Sequence, residues 1–137
     1  MMDSSLHTLA AQAMERAYAP YSRFRVGAAL ETADGRRFAG CNVENASYPV
    51  TMCAERVAIG AAVASGAREF VRLALANSSA RPIAPCGMCR QALAEFGTDL
   101  TISSEAVSGE RAEWTLAALL PDAFELDAER SGVGGDA

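Results

Sequence analysis

The hydrophobic and polar positions at the start of the chain predict one helix followed by a β-hairpin. Residues 6–18 place leucine, alanine and methionine on one face at helical spacing, and Pro20 ends that helix. Apolar-rich runs over 26–31 and 37–43 have the composition of strands. They are joined by an Ala-Asp-Gly turn at 33–35, in which Asp-Gly is a strong hairpin signal.

Helices and strands alternate in the middle of the chain. A helical stretch is predicted over 53–65, with Gly66 as its C-terminal cap. The run 71–76 alternates like a strand, and Cys86 opens another helix that ends at Phe96-Gly97.

The last third of the chain predicts two short elements and a tail. Residues 100–103 have the pattern of a strand, and 114–120 that of a short helix stopped by Pro121. The Gly-rich tail 131–137 has little to bury and is predicted to be disordered, so that residues 1–130 form a single domain. Helices would then cover both faces of a mixed sheet, which is an α/β architecture.

The composition and charge of the chain limit the classes of molecule that it is expected to bind. The 137 residues are half apolar and carry a net charge of −5, which argues against a nucleic-acid backbone as partner because neutralising phosphates needs a basic face. Residues 1–8 do not resemble a signal peptide, and the longest apolar-rich stretch, 57–64, is too short to span a bilayer. We therefore expect a cytoplasmic protein that does not bind membranes and whose thiols are reduced.

Four cysteines, at positions 41, 53, 86 and 89, carry the candidate chemistry. An even number could form two disulfides, but in a reducing cytosol a Cys-x-x-Cys pair favours metal binding. A thioredoxin-like redox pair is the other interpretation of Cys86 and Cys89, and it would leave Cys53 and Glu55 unexplained. Cys41 lies outside the ligand pattern and is interpreted as a small buried hydrophobic residue.

The other three cysteines are one ligand short of a closed tetrahedral zinc site. Structural zinc sites use four protein ligands, whereas catalytic sites use three and leave the fourth position to water. A thiolate ligand in Cys53-Ala54-Glu55, followed later by Pro85-Cys86-Gly87-Met88-Cys89, resembles the signature of the zinc-dependent deaminases. Both segments are predicted to begin helices, whose positive ends would stabilise the thiolates.

Three charged residues follow these ligands closely. At the first turn of its helix, Glu55 could contact a ligand beyond the helix end and transfer protons without binding the metal. The alternative is a glutamate that only interacts with the helix dipole. Arg56 and Arg90 are candidate hydrogen-bond donors to the thiolate sulfurs, or ordinary surface arginines.

Five segments between residues 6 and 124 resemble the cytidine deaminases of the small, homotetrameric, three-cysteine type. The matching segments are 19–30, 40–48, 53–56, 85–91 and 119–124. The resemblance implies a three-layer α/β/α fold with a mixed five-stranded sheet, one zinc ion per chain and a homotetramer with shared active sites. It also implies hydrolytic deamination of cytidine and deoxycytidine to uridine and deoxyuridine in pyrimidine salvage, with Glu55 as the catalytic residue.

The resemblance also implies roles for the substrate-binding residues. Phe24 would stack on the pyrimidine, Asn42 and Glu44 would hydrogen-bond the ribose hydroxyls, and Ala54 would contact the base through its backbone. Two further residues, Tyr48 and Phe124, would serve contacts between subunits, and Phe124 would reach a neighbour's site.

Three other functions remain open at this point. A deaminase of the same fold could act on another cytosine compound, such as a nucleoside antibiotic, although the run 42–45 favours an ordinary ribose or deoxyribose. A polynucleotide deaminase is disfavoured by the acidic charge. A structural zinc module without activity needs a fourth ligand, for which Cys41 and His7 are poor candidates.

Overall fold

A computed structural model describes residues 4–126 of the chain. The predicted tail at 131–137 lies outside the described residues. The elements, in chain order, are α1 Ser4–Met14, β1 Val26–Thr32, β2 Arg37–Cys41, α2 Ala54–Ala64, β3 Phe70–Asn77, α3 Gly87–Ala94, β4 Thr101–Ala106, β5 Arg111–Thr115 and α4 Leu116–Leu119. A short 3₁₀ turn, Tyr48–Val50, precedes α2.

The strands form one mixed sheet in the order β2-β1-β3-β4-β5. Only the β3–β4 pair is parallel, and the other three neighbouring pairs are antiparallel. The hairpin between β1 and β2 turns at Gly35, whose φ of 89° is a backbone conformation that suits glycine. The expected mixed five-stranded sheet is therefore confirmed.

Helices pack on both faces of this sheet. On one face Leu6 and Ala10 of α1 pack against Ala29 of β1 and Ala74 of β3. The next residues along β1, Ala28 and Leu30, point to the other face and join a larger core with α2 and α3. All seven residues of β1 are buried as a result, and the predicted α/β layering is confirmed.

The prediction that α1 extends to residue 18 is wrong, because the helix ends at Met14. Tyr18 instead adopts an extended conformation, in which its N–H donates to Asn42 O at 3.0 Å and its carbonyl accepts from Glu44 N at 2.9 Å. The predicted end of the second strand, residue 43, is also wrong. β2 ends at Cys41, and the following residues pair with the chain around Tyr18.

The prediction of a helix from residue 114 is wrong at its start, because Trp114 lies in the fifth strand. Trp114 pairs with Ile102 of β4, and burial along β5 alternates between half-buried and exposed positions. The helix begins only at Leu116, where the Thr115 hydroxyl accepts a hydrogen bond from Ala118 N at 3.2 Å.

Close packing fixes α2 against the edge of the sheet. A Cβ atom at Gly40 of β2 would lie 2.6 Å from both Ala54 O and Ala58 N, so only glycine allows this approach. The first turn of α2 is thereby held at a defined place beside the strand. In the described part of the chain no helix has the length and apolar character needed to cross a membrane.

Candidate active site

Three cysteine sulfurs meet where two helices begin. Cys53 is the N-cap of α2, Cys86 is the N-cap of α3, and Cys89 lies in the first turn of α3. Cys86 Sγ lies 3.5 Å from Cys89 Sγ and 3.9 Å from Cys53 Sγ, and all three sulfurs lie within 4.8 Å of one another. The predicted ligand cluster is therefore confirmed.

The starts of α2 and α3 determine where the sulfurs lie and make the electrostatic potential around them more positive. Cys53 and Cys86 have extended backbone angles, with ψ of 152° and 165°, and neither side chain caps its own helix. Their sulfurs can therefore bind a shared ligand. The positive ends of two helix dipoles meet at this point, which favours anionic thiolates.

The spacing of the sulfurs fits a zinc ion. A tetrahedral site with Zn–S bonds of about 2.3 Å places its sulfurs about 3.8 Å apart. The sulfur–sulfur distances of 3.5 and 3.9 Å lie on either side of that value. Three soft thiolates at this spacing are a donor set that zinc prefers.

Among residues 4–126 the metal-binding cluster comprises these three cysteines and no other histidine, cysteine or carboxylate. Cys41 is half-buried in β2, and His7 packs on the opposite face of the sheet, where its Nε2 lies 2.8 Å from Ser103 Oγ. Neither residue supplies the fourth ligand that a closed structural site needs. Three protein ligands match the open arrangement of catalytic zinc sites.

The thiols differ in acidity before a metal binds. A hydrogen bond from the Cys89 thiol, and after it the Arg56 guanidinium, lower the pKa of Cys53 to about 5 against the opposing effect of burial. The same hydrogen bond, together with burial, raises the pKa of Cys89 above its ordinary value. Zinc binding must therefore release the proton of Cys89.

Glu55 lies beside the cluster in the first turn of α2 and is only 4% exposed. Burial, followed by the negative charge of Cys53, raises the pKa of Glu55 to about 7. A bound dication acts in the opposite direction. A carboxyl group with a pKa near neutrality can both accept and release a proton, which is what general acid–base chemistry requires.

The two arginines hold the cluster in different ways. Arg56 Nη2 donates to Thr51 O at 3.0 Å and lies 3.9 Å from Cys53 Sγ, as expected for a thiolate partner. Arg90 donates to the carbonyl oxygens of Pro85, at 2.7 Å, and Leu119, at 3.1 Å. Its hydrogen bonds go to backbone and not to sulfur, so Arg90 fixes the segment before α3 to the end of α4.

Asn42 and Glu44 are buried and bind the segment that contains Phe24. Asn42 Nδ2 donates to Phe24 O at 2.8 Å, and Asn42 Oδ1 accepts from Val26 N at 2.9 Å. Glu44 accepts hydrogen bonds from the turn at Tyr21 and Ser22. Phe24 itself is half-buried against the larger core.

The remaining predicted residues lie at the surface or at the helix start. Ala54 is fully buried as the first residue of α2. Tyr48 is 63% exposed, and its ring centroid lies 6.5 Å from that of Tyr21. Phe124 is 72% exposed, although its backbone is held at two points.

Gln91 provides this double contact and was not among the predicted site residues. Its side chain donates from Nε2 to Phe124 O at 3.0 Å and accepts from Phe124 N at 3.1 Å. Gln91 lies two residues after Cys89 on α3, so the helix that carries two zinc ligands also positions Phe124. The only sequence signal was its place inside the segment 85–91.

A group of exposed apolar side chains lies on the segment that leads to Cys53, on the chain paired with it, and between the other two ligands, and we call this group the apolar rim. Tyr18 and Val43 are bridged through their backbones, as are Val43 and Met52, and Met52 directly precedes Cys53. The apolar rim consists of Tyr18, Tyr21, Val43, Tyr48, Val50, Met52 and Met88. By contrast, a cavity of about 620 Å³ between α1, β2 and α2 is lined by none of the predicted site residues.

Comparison with known proteins identifies the same chemistry. The family described as "Cytidine and deoxycytidylate deaminase zinc-binding region" matches residues 1–104. A cytidine deaminase of Sporosarcina psychrophila is 46% identical over 117 residues, which are 85% of this chain and 86% of the relative. A blasticidin-S deaminase of Bacillus cereus is 31% identical over 108 residues, covering 73% of this chain and 76% of the relative.

Solved structures show the same fold. The crystal structure of cytidine deaminase from Burkholderia pseudomallei matches with a TM-score of 0.85 and 47% sequence identity. The match covers 90% of this chain and all of the other chain.

Proposed function

The chain belongs to the cytidine and deoxycytidylate deaminase zinc-binding family, and on that premise we propose that it hydrolyses cytidine and deoxycytidine. Water replaces the exocyclic amino group, so that the products are uridine or deoxyuridine and ammonia. The observation that carries the proposal is the buried Glu55 beside three clustered thiols that lack a fourth protein ligand among the described residues.

The chemistry divides between the metal and the chain. A zinc ion bound by Cys53, Cys86 and Cys89 supplies Lewis-acid activation of water near neutral pH. Glu55 takes a proton from the attacking water and delivers it to the ring nitrogen, and it then takes the proton of the new hydroxyl group on the ring carbon and delivers it to the departing amine. Its burial excludes bulk water from these transfers and raises its pKa in the metal-free chain, which a bound dication would lower again. Arg56 offsets the negative charge of the thiolates.

Substrate recognition falls to the loops beside the metal. Phe24 stacks on the pyrimidine, Asn42 and Glu44 hydrogen-bond the sugar hydroxyls, and the backbone of Ala54 contacts the base. The burial and fixed orientation of Asn42 and Glu44 support this assignment, because both side chains are held before substrate arrives.

The pocket is shared between copies of the chain in a homotetramer. The apolar rim supports this, because exposed apolar surface of this kind around a polar site marks an interaction surface. Phe124 enters a neighbour's pocket, and Tyr48 lies in the contact between subunits. A second copy would exclude water from the site and strengthen the electrostatics inside it. The reaction would serve pyrimidine salvage in the cytoplasm.

The direct test is the loss of cytidine's ultraviolet absorbance as uridine forms. Turnover is expected in the zinc-loaded protein, and it should disappear with a chelator and return when zinc is added. Zinc-loaded protein that leaves cytidine and deoxycytidine unchanged would refute the proposal.

The similarity to a blasticidin-S deaminase supports a second candidate, a deaminase of a cytosine nucleoside antibiotic. The greater identity to cytidine deaminases disfavours it. Blasticidin S and cytidine assayed side by side separate the two, since the higher kcat/KM identifies the substrate.

A further inference from the structure

Ser22 connects two proposed recognition residues through a single hydroxyl group. Its O–H donates to Glu44 Oε2 in a short hydrogen bond, and its Oγ accepts from Phe24 N at 3.0 Å. We propose that Ser22 is a positioning residue that orients the Glu44 carboxylate so that it recognises one sugar hydroxyl. The inference rests on the proposed function, in which Glu44 contacts the sugar.

Groups of the chain itself already use most of the hydrogen-bond acceptor sites on the Glu44 carboxylate. Its Oε1 accepts from Tyr21 N at 3.0 Å and from Ser22 N at 3.1 Å, and its Oε2 accepts from the Ser22 hydroxyl. These hydrogen bonds, led by that of the hydroxyl, lower the pKa of Glu44, so it stays ionised at neutral pH.

The remaining acceptor capacity can be counted. Each carboxylate oxygen offers two lone pairs, and both on Oε1 are used by backbone N–H groups. On Oε2 one lone pair is used by Ser22, which leaves one. Glu44 can therefore accept one additional hydrogen bond, and the hydroxyl of Ser22 determines the direction of that position.

The turn around Ser22 is built to keep this geometry. Arg23 has a φ of 60°, a left-handed conformation that non-glycine residues adopt only when their surroundings impose it. The next residue, Phe24, is held at both of its backbone polar groups: its N–H donates to Ser22 Oγ, and its carbonyl oxygen accepts from the side-chain amide of Asn42. Asn42 still holds Phe24 O when the Ser22 hydroxyl is removed, whereas Oε2 of the carboxylate then loses the hydrogen bond that orients it.

The one unused acceptor site on the Glu44 carboxylate limits which groups of the substrate it can recognise. One free acceptor matches one hydroxyl donor, so one of the two sugar hydroxyls should depend on Glu44 and the other should not. Losing the Ser22 hydroxyl should then matter only for substrates that carry the recognised hydroxyl. A general structural role of Ser22 would weaken all substrates equally.

The experiment measures kcat/KM for cytidine and its 2′-deoxy, 3′-deoxy and 2′,3′-dideoxy forms with the zinc-loaded protein. Ser22→Ala should lower kcat/KM about tenfold, mainly through KM, for substrates with the recognised hydroxyl, as expected for a charge-assisted hydrogen bond. The other substrates should change little. Ser22→Thr keeps the hydroxyl and, since Ser22 is exposed, has room for a methyl group, so it should restore the pattern.

Ser78, which directly follows β3, offers a matched control. Its hydroxyl accepts from Arg25 N at 3.0 Å, whereas the Glu44 carboxylate accepts from Tyr21 and Ser22. Ser78→Ala should therefore leave the ratios between the four substrates unchanged. Dissociation constants of uridine and its deoxy forms, measured by calorimetry, repeat the comparison without turnover.

Three results would overturn the inference. An equal loss on all four substrates in Ser22→Ala would assign a structural role to Ser22. A loss on both the 2′-deoxy and the 3′-deoxy substrate, but not on the dideoxy substrate, would refute the acceptor count. A wild-type protein indifferent to all sugar hydroxyls would remove the role of Glu44 as well, while deamination of cytidine would still stand. A protein that binds the uridine series with the expected pattern but does not turn over cytidine would support Ser22 and refute the proposed activity.

Discussion

The metal side of the site and its substrate side are built in different ways. The metal side consists of two helix starts, with Cys89 fully buried and Glu55 nearly so, and its parts come from a single chain. The substrate side consists of loops, and its outer residues Tyr48 and Phe124 are mostly exposed. Each reactive group is thus set by the local structure of its own helix start, whereas the proposed recognition surface requires loops and a second copy of the chain.

The two sides also differ in what holds them. Helix geometry alone brings Cys86 and Cys89 together, because residues three apart lie on one face. The loops have no such repeat, and they are held by side-chain hydrogen bonds from Asn42 and Glu44 to backbone groups many residues away. Substitutions should therefore separate chemistry from recognition.

The largest effect is expected at the metal side. Cys89→Ala removes a buried ligand and should abolish zinc binding and lower the thermal stability, because zinc binding is coupled to folding. Zinc content by mass spectrometry and thermal unfolding are the measurements. Cys41→Ala, outside the cluster, is the control and should keep one zinc per chain. Full zinc content in Cys89→Ala would contradict the ligand assignment.

The next effect separates the chemistry from the metal. Glu55→Gln should keep its zinc and its fold but lose about 10²–10⁴-fold or more in kcat, because the proton carrier is gone. The exposed Glu69 offers a control, since Glu69→Gln should retain full turnover. Near-normal kcat in Glu55→Gln would show that another group carries the proton.

The substrate side should respond through assembly and affinity. Phe124→Ala should lower kcat/KM roughly tenfold or more while zinc content stays unchanged, as expected for losing a large apolar contact. Val107→Ala is the control, since Val107 is similarly exposed but follows β4 and has no proposed part in the pocket. Kinetics unchanged by Phe124→Ala would remove this residue from the pocket.

Mixed assemblies sharpen this prediction. If sites are shared, Glu55→Gln chains mixed and reassembled with Phe124→Ala chains should be more active than the sum of the separate proteins. The Glu55→Gln chain would donate its Phe124 to a site that has intact chemistry. Additive activity, or a fully active monomer by sedimentation, would contradict shared sites.

The smallest effect lies outside both sides, at the buried His7 on α1. Burial, followed by the charge of Arg111, lowers the pKa of His7, while Glu105 and Glu113 oppose this. The folded chain therefore holds His7 neutral, and its contribution to stability is present above the ordinary histidine pKa and lost as pH falls below about 6.5. Urea unfolding at pH 8 and pH 5.5 should show a smaller pH-dependent loss in His7→Gln than in wild type. Titration of the zinc thiolates contributes equally to the free energy of unfolding of both proteins, so it cancels in the comparison. Equal pH-dependent losses in the two proteins would contradict the prediction.

Much of the metal side could be predicted from the sequence because its geometry is local. The two helix starts at Cys53 and Cys86 follow from short motifs, and the hairpin at Gly35 follows from its turn residues. The end of α1 could not be predicted in this way. It is set by hydrogen bonds between Tyr18 and residues 42–44, which are distant in sequence.

The same reason explains the other differences. The strand at 111–115 has an alternating pattern, but it was obscured by the helical run that begins directly after it. Ser22 and Gln91 were not predicted because their partners, Glu44 and Phe124, are brought to them only by the fold. Arg90 was a candidate donor to sulfur or an ordinary surface arginine, yet it donates to the carbonyl oxygens of Pro85 and Leu119.

The proposed function depends on a metal site in which three thiolates leave one position open. Zinc K-edge X-ray absorption of the purified protein can test this, because the method counts the sulfur and lighter ligands around the metal. We expect three sulfur ligands at about 2.3 Å and one oxygen ligand at about 2.0 Å, with the oxygen ligand exchangeable by small anions. Four sulfur ligands, or a fourth ligand from the protein that does not exchange, would contradict it.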